Sequence, residues 1–347
     1  VLARIGGRAV IEVLTSGVAL GVHVPGLLLA DRLRERGVDV HVSVLERMLP
    51  PETLETTTKM KWAFHRDFRV ALVGQRVARE VAIPHSAQEA MLASWRSRNV
   101  SRFVVFSGFW LPILERYGAA EVDVCHVDSV VSPSFQKVKT SLSPRPIWLA
   151  NADEGTLPYS IPVTHSPPIP WESRARRLLV HGGGWGMGTY RERAVELRSH
   201  GFSLDVVAYE ERDISPDPGI RHFMIDPTWH PWHDDGYPPF GEVNSGFTRT
   251  KGHHGSFNLT QSVVATVSKP GGGTLLDSLW SATPAVLLEP FGAHEERNAS
   301  LWEHLGFGIP FDKWRDSGFD MAMVEKLHNA LLAARESLVD YSTELAG

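Results

Sequence analysis

Two glycine clusters limit what this chain can fold into. In each, a short apolar or β-branched run breaks off at glycines and a helical pattern begins just beyond them. Arg177 to His181 runs into Gly182-Gly183-Gly184-Trp185-Gly186 and then a helix over Thr189 to His200. Val263 to Val267 runs into Lys269-Pro270-Gly271-Gly272-Gly273 and a helix from Thr274 onward. Strands alternating with helices in this way build a parallel sheet covered on both faces, with right-handed crossovers. The second cluster also carries chemistry. Consecutive glycines let backbone N–H groups approach a diphosphate with no Cβ in the way, and a helix N-terminus adds partial positive charge. Asp277 lies one turn inside that helix, placed to accept hydrogen bonds from ribose hydroxyls.

The same alternation fills the first half. Strands are expected over Ala9 to Leu14, Val38 to Val44, Arg102 to Phe106 and Val122 to Val127. Helices are expected over Val24 to Arg36, Phe68 to Val81, Ser86 to Arg98 and Leu111 to Tyr117. A proline-rich connector, Pro162 to Pro170, separates this half from the next β-α-β pattern. The expected division is residues 1–165 as a Rossmann-like acceptor domain and 166–320 as a Rossmann-like donor domain. Residues 321–347 are expected to form one helix, to about Ser342, that packs back across the domain base. The stretch from Asp226 to Gly255, rich in Pro, Gly, His and Trp without periodicity, reads as a long loop and a candidate lid.

At 347 residues the chain is long enough for two α/β domains, and two domains imply a cleft. A net charge of −5 with no basic tail argues against nucleic acid as partner. The single cysteine, Cys125, excludes an internal disulfide framework and fits a reducing compartment. Apolar runs stop well short of a membrane span and nothing at the N-terminus reads as a signal peptide, so the expected location is the cytoplasm.

Two motifs carry a family resemblance. Lys269-Pro270-Gly271-Gly272-Gly273-Thr274 with Asp277, and His294-Glu295-Glu296-Arg297-Asn298-Ala299, are similar in order and spacing to motifs of GT-B glycosyltransferases. The similar groups are the processive diacylglycerol glucosyltransferases, the plant galactolipid synthases and the peptidoglycan N-acetylglucosaminyltransferase. The resemblance implies an α/β GT-B fold with two Rossmann-like domains facing a central cleft. It also implies an inverting, metal-independent transfer from a UDP-sugar to a small acceptor, with no cofactor beyond the donor substrate.

By the same resemblance, Gly271, Gly272, Gly273 and Thr274 bind the diphosphate, with Lys269 assisting, and Asp277 binds the ribose. His294, Glu295 and Asn298 face the donor sugar. Gly183 and Gly184 correspond to the first loop of the donor domain. Asp277 stands where the family has Glu, which shortens its reach, and His294 stands where it has Gln. A narrower likeness, in Ser268 to Leu279 and on through Thr283-Pro284 to Gly292, is to the cytosylglucuronic acid synthases of nucleoside-antibiotic pathways. It implies a glucuronic acid donor, with Arg297 as candidate partner of the carboxylate, and cytosine or a substituted cytosine as acceptor.

The first half matches less closely. The family's Gly-Gly-His-x-x-Pro loop corresponds to Gly17 to Leu27, but His23 stands two residues before Pro25 instead of three. His23 is the candidate general base, its pKa class suiting proton transfer near neutrality. Asp128 or His126, at the end of the strand His126-Val127-Asp128 where ligands gather in open α/β sheets, is a second candidate to position or deprotonate the acceptor; a satisfied polar strand end explains it as well. Among 16 histidines, His222, His230, His233, His253 and His254 cluster with Asp234 and Asp235 near the candidate lid, but their spacing fits no zinc pattern and no metal is expected. Trp110, Trp229 and Trp232 are candidates to stack on a planar acceptor, with packing as the alternative. Two other activities fit the same motifs: a nucleotide-sugar 2-epimerase, and a non-catalytic nucleotide-sugar binding protein.

Overall fold

The computed structural model describes residues 10–77, 82–118 and 120–347. Ala9 and the 78–81 end of the expected helix from Phe68 lie outside the described residues. Five parallel strands form the first sheet: β1 (Val10–Thr15), β2 (Asp39–Val44), β3 (Val100–Val105), β4 (Glu121–His126) and β5 (Arg145–Trp148), in the order β2-β1-β3-β4-β5. Seven form the second: β6 (Ala175–His181), β7 (Ser203–Val207), β8 (Ile220–Ile225), β9 (Phe240–Glu242), β10 (Val263–Ser268), β11 (Ala285–Leu287) and β12 (Gly308–Pro310). Their order is β12-β11-β10-β6-β7-β8-β9, parallel except that β9 runs against β8.

The strand order positions the site. In the first sheet β1 lies between β2 and β3, and in the second β6 lies between β7 and β10, so each sheet reverses direction of growth at its first strand. Crevices open at the carboxyl ends of strands at such reversals. Both glycine clusters follow strands that meet at one of them, since β10 pairs with β6 through Ser268 and His181.

Apolar faces explain the layers. The Leu20–Glu35 helix buries Leu27, Leu28, Leu29, Ala30 and Leu33 against β1 and β2, and Val180, Val206, Val264, Val267 and Trp314 fill the second core. The helix Pro51–Arg66 carries no clear apolar period, and its run of threonines argues against a helix by propensity. Thr56, Thr57 and Thr58 instead donate to the carbonyls four residues back, which keeps their hydroxyls satisfied inside the helix. Pro146 fits in β5 because β5 is an edge strand.

Two expectations are corrected. The C-terminal helix is not continuous to Ser342: one helix spans Met321–Arg335 and another Tyr341–Ala346, because Asp340 accepts the N–H of Ser342 and starts a new helix. The second of them lies on the first sheet's side, with Tyr341 donating to Asp123. The 226–255 segment is not without structure. It contains β9 and a bridge between Phe240 and Thr248, and it grips the Leu20–Glu35 helix. Tyr237 is buried and donates to Asp31 (2.8 Å), Arg32 donates to the carbonyl of Gly252, and Arg47 pairs with Asp235 (2.6 Å).

Candidate active site

The glycine turn after β10 and the Pro290–Ala299 segment meet through buried polar contacts. Lys269 is ion-paired with Glu295, both nearly inaccessible, and the other carboxylate oxygen of Glu295 accepts the N–H of Phe291 (2.7 Å). Asn298 donates to the carbonyl of Pro270 (3.0 Å). The ammonium of Lys269 also lies 3.4 Å from where a Cβ on Gly183 or on Gly271 would stand, so both glycine clusters enclose it. A side chain at either position would crowd the charge, which gives the glycines a local reason. The helix Gly272–Ser281 starts at Gly271 with no side-chain cap, leaving its first N–H groups without intrahelical partners. Gly271, Gly272, Gly273 and Thr274 are all partly exposed.

This turn faces the first sheet at short range. A Cβ on Gly272 would stand 2.7 Å from the carbonyl oxygen of Val127, and one on Gly273 would stand 3.2 Å from Gly21 Cα. The Gly182–Gly186 turn does the same: a Cβ on Gly184 would lie 2.8 Å from Leu20 Cβ, and the indole of Trp185 donates to the carbonyl of Val18.

Several of the expected site residues make hydrogen bonds or ion pairs within the protein. Asn298, expected to bind sugar hydroxyls, is buried with its amide fully committed: it accepts from the N–H of Ser129 (2.7 Å) and donates to Asp128 (2.9 Å) as well as to Pro270. It joins the two halves of the molecule. Asp128, a candidate base, is thereby held as the partner of Asn298. Glu295 is likewise committed to Lys269 and Phe291. His294, in the first turn of the Ala293–His304 helix, makes no hydrogen bond or ion pair among the described residues. Arg297 is exposed and paired with Asp153 of the first half (2.5 Å). Asp277 accepts from His254 Nε2 (3.0 Å), a partner that sequence pattern did not single out for it.

His23 is fully buried, and Thr15 Oγ1 lies 3.0 Å from its Nδ1. Thr15 Oγ1 in turn donates to the carbonyl of Ser43 (3.4 Å), so it accepts from Nδ1–H. That tautomer leaves the lone pair on Nε2, which has no partner among the described residues. Burial, reinforced by the charge of Arg47 and opposed by Asp235, lowers the His23 pKa to about 4, so it is neutral at pH 7. His126 is lowered to about 4 by burial alone; it is stacked 4.0 Å from Trp148 and edge-on to Phe135. His181, at the end of β6, is also lowered to about 4 by burial and by Lys269, and its Nδ1 accepts the N–H of Gly183 (3.1 Å). Sequence pattern gave no signal for His181, since its role depends on β6 lying beside β10.

Between the halves lies a cavity of about 170 Å³ whose wall includes Trp62, Trp185, Tyr209, Trp229 and Trp232, with Lys61 and Asp226. Gly17, Val18 and Leu20 of the first half also line it. Trp110 is elsewhere, buried in the first core and donating to the carbonyl of Thr15 (2.9 Å). Among the described residues, the set with metal-ligand spacing is His65, Glu210 and Asp213, not the histidine-rich segment. Arg66 and Arg212 pair with Glu210, and Arg191 with Asp213, which balances the charge a cation would neutralise.

Comparison with solved structures settles the architecture. The glycosyltransferase SsfS6 of Streptomyces sp. SF2575, in complex with thymidine diphosphate, superposes with a TM-score of 0.58 at 14% identity, over 97% of this chain and 98% of that one. MurG of Acinetobacter baumannii gives 0.54 at 11% identity, over 97% and 98%. The spinosyn rhamnosyltransferase SpnG gives 0.55 at 14% identity, over 97% and 98%. The fold is GT-B. No family model and no curated protein matches the chain. Among the described residues no helix is long and apolar enough to cross a membrane.

Proposed function

We propose that this chain is a nucleotide-sugar-dependent glycosyltransferase that transfers a sugar with inversion to a small planar acceptor, without a metal. The observation that carries the reading is the buried joint of Lys269, Glu295, Pro270 and Asn298. It holds an uncapped helix N-terminus at the reversal point of the donor-side sheet, facing the other half. As the bond between the anomeric carbon and the diphosphate oxygen breaks, negative charge grows on the leaving group. The N–H groups of Gly272, Gly273 and Thr274 are fixed in advance to receive it. Once the halves separate, His23 Nε2, buried in the arrangement described, takes the acceptor proton as the acceptor atom attacks the anomeric carbon. A base on one face and a leaving group on the other is the arrangement for a single displacement, hence inversion.

The aromatic cavity beside Gly17 to Leu20 favours a flat acceptor, which cytosine or a substituted cytosine satisfies. The donor nucleotide is read as a pyrimidine diphosphate; UDP is the type the motifs resemble, and thymidine diphosphate is what SsfS6 and SpnG hold in their complexes. Arg297 would have to leave Asp153 to meet a glucuronate carboxylate, so the glucuronyl donor rests on the motif likeness alone. Because Val127 and Gly21 stand against the glycine turn, donor entry requires the halves to separate.

The test is to incubate the protein with UDP-glucose, UDP-glucuronic acid, UDP-N-acetylglucosamine and a thymidine-diphosphate sugar, with and without cytosine, and to follow nucleoside diphosphate release. Acceptor-dependent release supports transfer. Free epimer without acceptor would indicate the epimerase, and binding without turnover of any donor the non-catalytic reading.

A further inference from the structure

The cavity between the halves holds a cation that the protein leaves unpaired. Lys61 belongs to the last two turns of the helix Pro51–Arg66, and its ammonium stands 5.1 Å from the centre of the Trp62 ring in the cavity wall. No hydrogen bond or ion pair reaches it among the described residues. Its own helix offers no partner. One turn away on either side stand Thr57, Thr58, Phe64 and His65, none of them acidic, while Lys59 is satisfied by Glu55 (2.6 Å). Asp226, whose carboxylate belongs to the same wall, accepts instead from the N–H (2.9 Å) and the hydroxyl (2.7 Å) of Thr228 and forms no ion pair among the described residues.

Burial lowers the pKa of Lys61, with no carboxylate acting to restore it. His230, also in the wall and stacked on Trp232 (4.8 Å), is lowered by burial and by the charges of His233 and Lys61. Withdrawing an ammonium from water costs free energy, and the face of one indole returns only part of it. A carboxylate brought into the cavity returns more, through a charge-assisted hydrogen bond in surroundings of low dielectric, and itself favours the protonated amine. Tryptophan faces select a flat or apolar body, and the ammonium selects a negative group attached to it.

We infer that this cavity takes a substrate carrying a carboxylate, and that Lys61 is the specificity-determining residue that receives it. The carboxylate belongs either to a planar acceptor or to the sugar of a uronic acid donor, since residues of both halves line the cavity. Unlike Arg297, Lys61 has no carboxylate of the protein to leave. The inference rests on the reading of the cavity as a substrate site, and measuring binding keeps it separate from the reading of the chain as a transferase.

Two pairs of ligands differ in a carboxylate: cytosine with cytosine-5-carboxylic acid, and UDP-glucose with UDP-glucuronic acid. Affinities for the full chain, measured by calorimetry at low salt, are expected to favour the acid of at least one pair by about tenfold, and the pair that shows it tells whether acceptor or donor carries the group. Lys61→Met keeps the stem and loses the charge, and is expected to bring that ratio to within about twofold while the neutral ligand binds as before. Lys61→Arg is expected to retain the preference.

Equal affinities within both pairs, or binding of neither acid, overturn the inference without any variant having to fold. A preference that survives in Lys61→Met, or an equal loss of acid and neutral ligand there, removes Lys61 from the role and overturns it as well. Preference for an acid with no nucleoside diphosphate release from any donor would uphold the carboxylate site and remove the transferase reading instead.

Discussion

At the scale of single residues, burial sets the behaviour of the histidines. His23 has a pKa of about 4 in the folded protein, so its base form persists across neutral pH. The acid limb of a kcat/KM profile is accordingly expected near pH 4; a limb near 6.5, the value of an exposed imidazole, would assign the proton transfer to another group. His126 gives a stability prediction. Its folded pKa is about 4 and its unfolded value about 6.5, so between these pH values the unfolded chain binds more protons than the folded one. Stability is therefore full above pH 6.5 and falls as pH drops toward 4. Each such imidazole withholds about 3 kcal/mol by the bottom of that window. His126→Phe, keeping a ring against Trp148, is expected to flatten the decline of Tm between pH 6.5 and 4. A decline as steep as in the wild type would show that His126 is not among the groups responsible. None of these shifts is visible in sequence, because a histidine's pKa depends on what is packed around it.

At the scale of elements, the glycine turn is under two constraints at once. The motif asks for bare backbone toward a diphosphate, and the fold asks for it toward Val127, whose carbonyl oxygen would be 2.7 Å from a Cβ on Gly272. Gly272→Ala is thus expected to lower Tm by forcing the halves apart and also to weaken nucleotide binding, read by thermal shift and calorimetry. Unchanged values for both would mean that the turn is not a close contact in solution. The strands β1 and β2 and the helices at Leu20 and Leu111 were legible from apolar period and glycine stops. The helix Pro51–Arg66 was not, since its threonines hide the period and are satisfied only by bonds to their own backbone. Strand β8 was missed because Arg221 and His222 interrupt its apolar run. Arg221 is accommodated by Asp205 on the neighbouring strand (2.7 Å), a partner 16 residues away.

At the scale of the whole molecule, Asn298 bonds across the two halves. Its removal leaves the N–H of Ser129 and the carboxylate of Asp128 without a partner at the interface. Asn298→Ala is expected to cost about 2 kcal/mol and to enlarge the radius of gyration in small-angle scattering. A scattering profile and a Tm equal to those of the wild type would deny it that role.

By itself, the order of strand, glycine and helix signals determined an α/β chain of two like halves and put the candidate site at the ends of β6 and β10, because period and glycine position are local properties of the backbone. Only the tertiary structure decided which polar groups remain available. Glu295 and Asn298 belong to a motif that reads as ligand-binding, yet their hydrogen bonds close on Lys269, Phe291, Ser129 and Pro270. Asp277 accepts from His254, a partner 23 residues away in the chain. Hydrogen-bond capacity is finite, and its allocation among partners far apart in the chain is fixed by how the two sheets are packed.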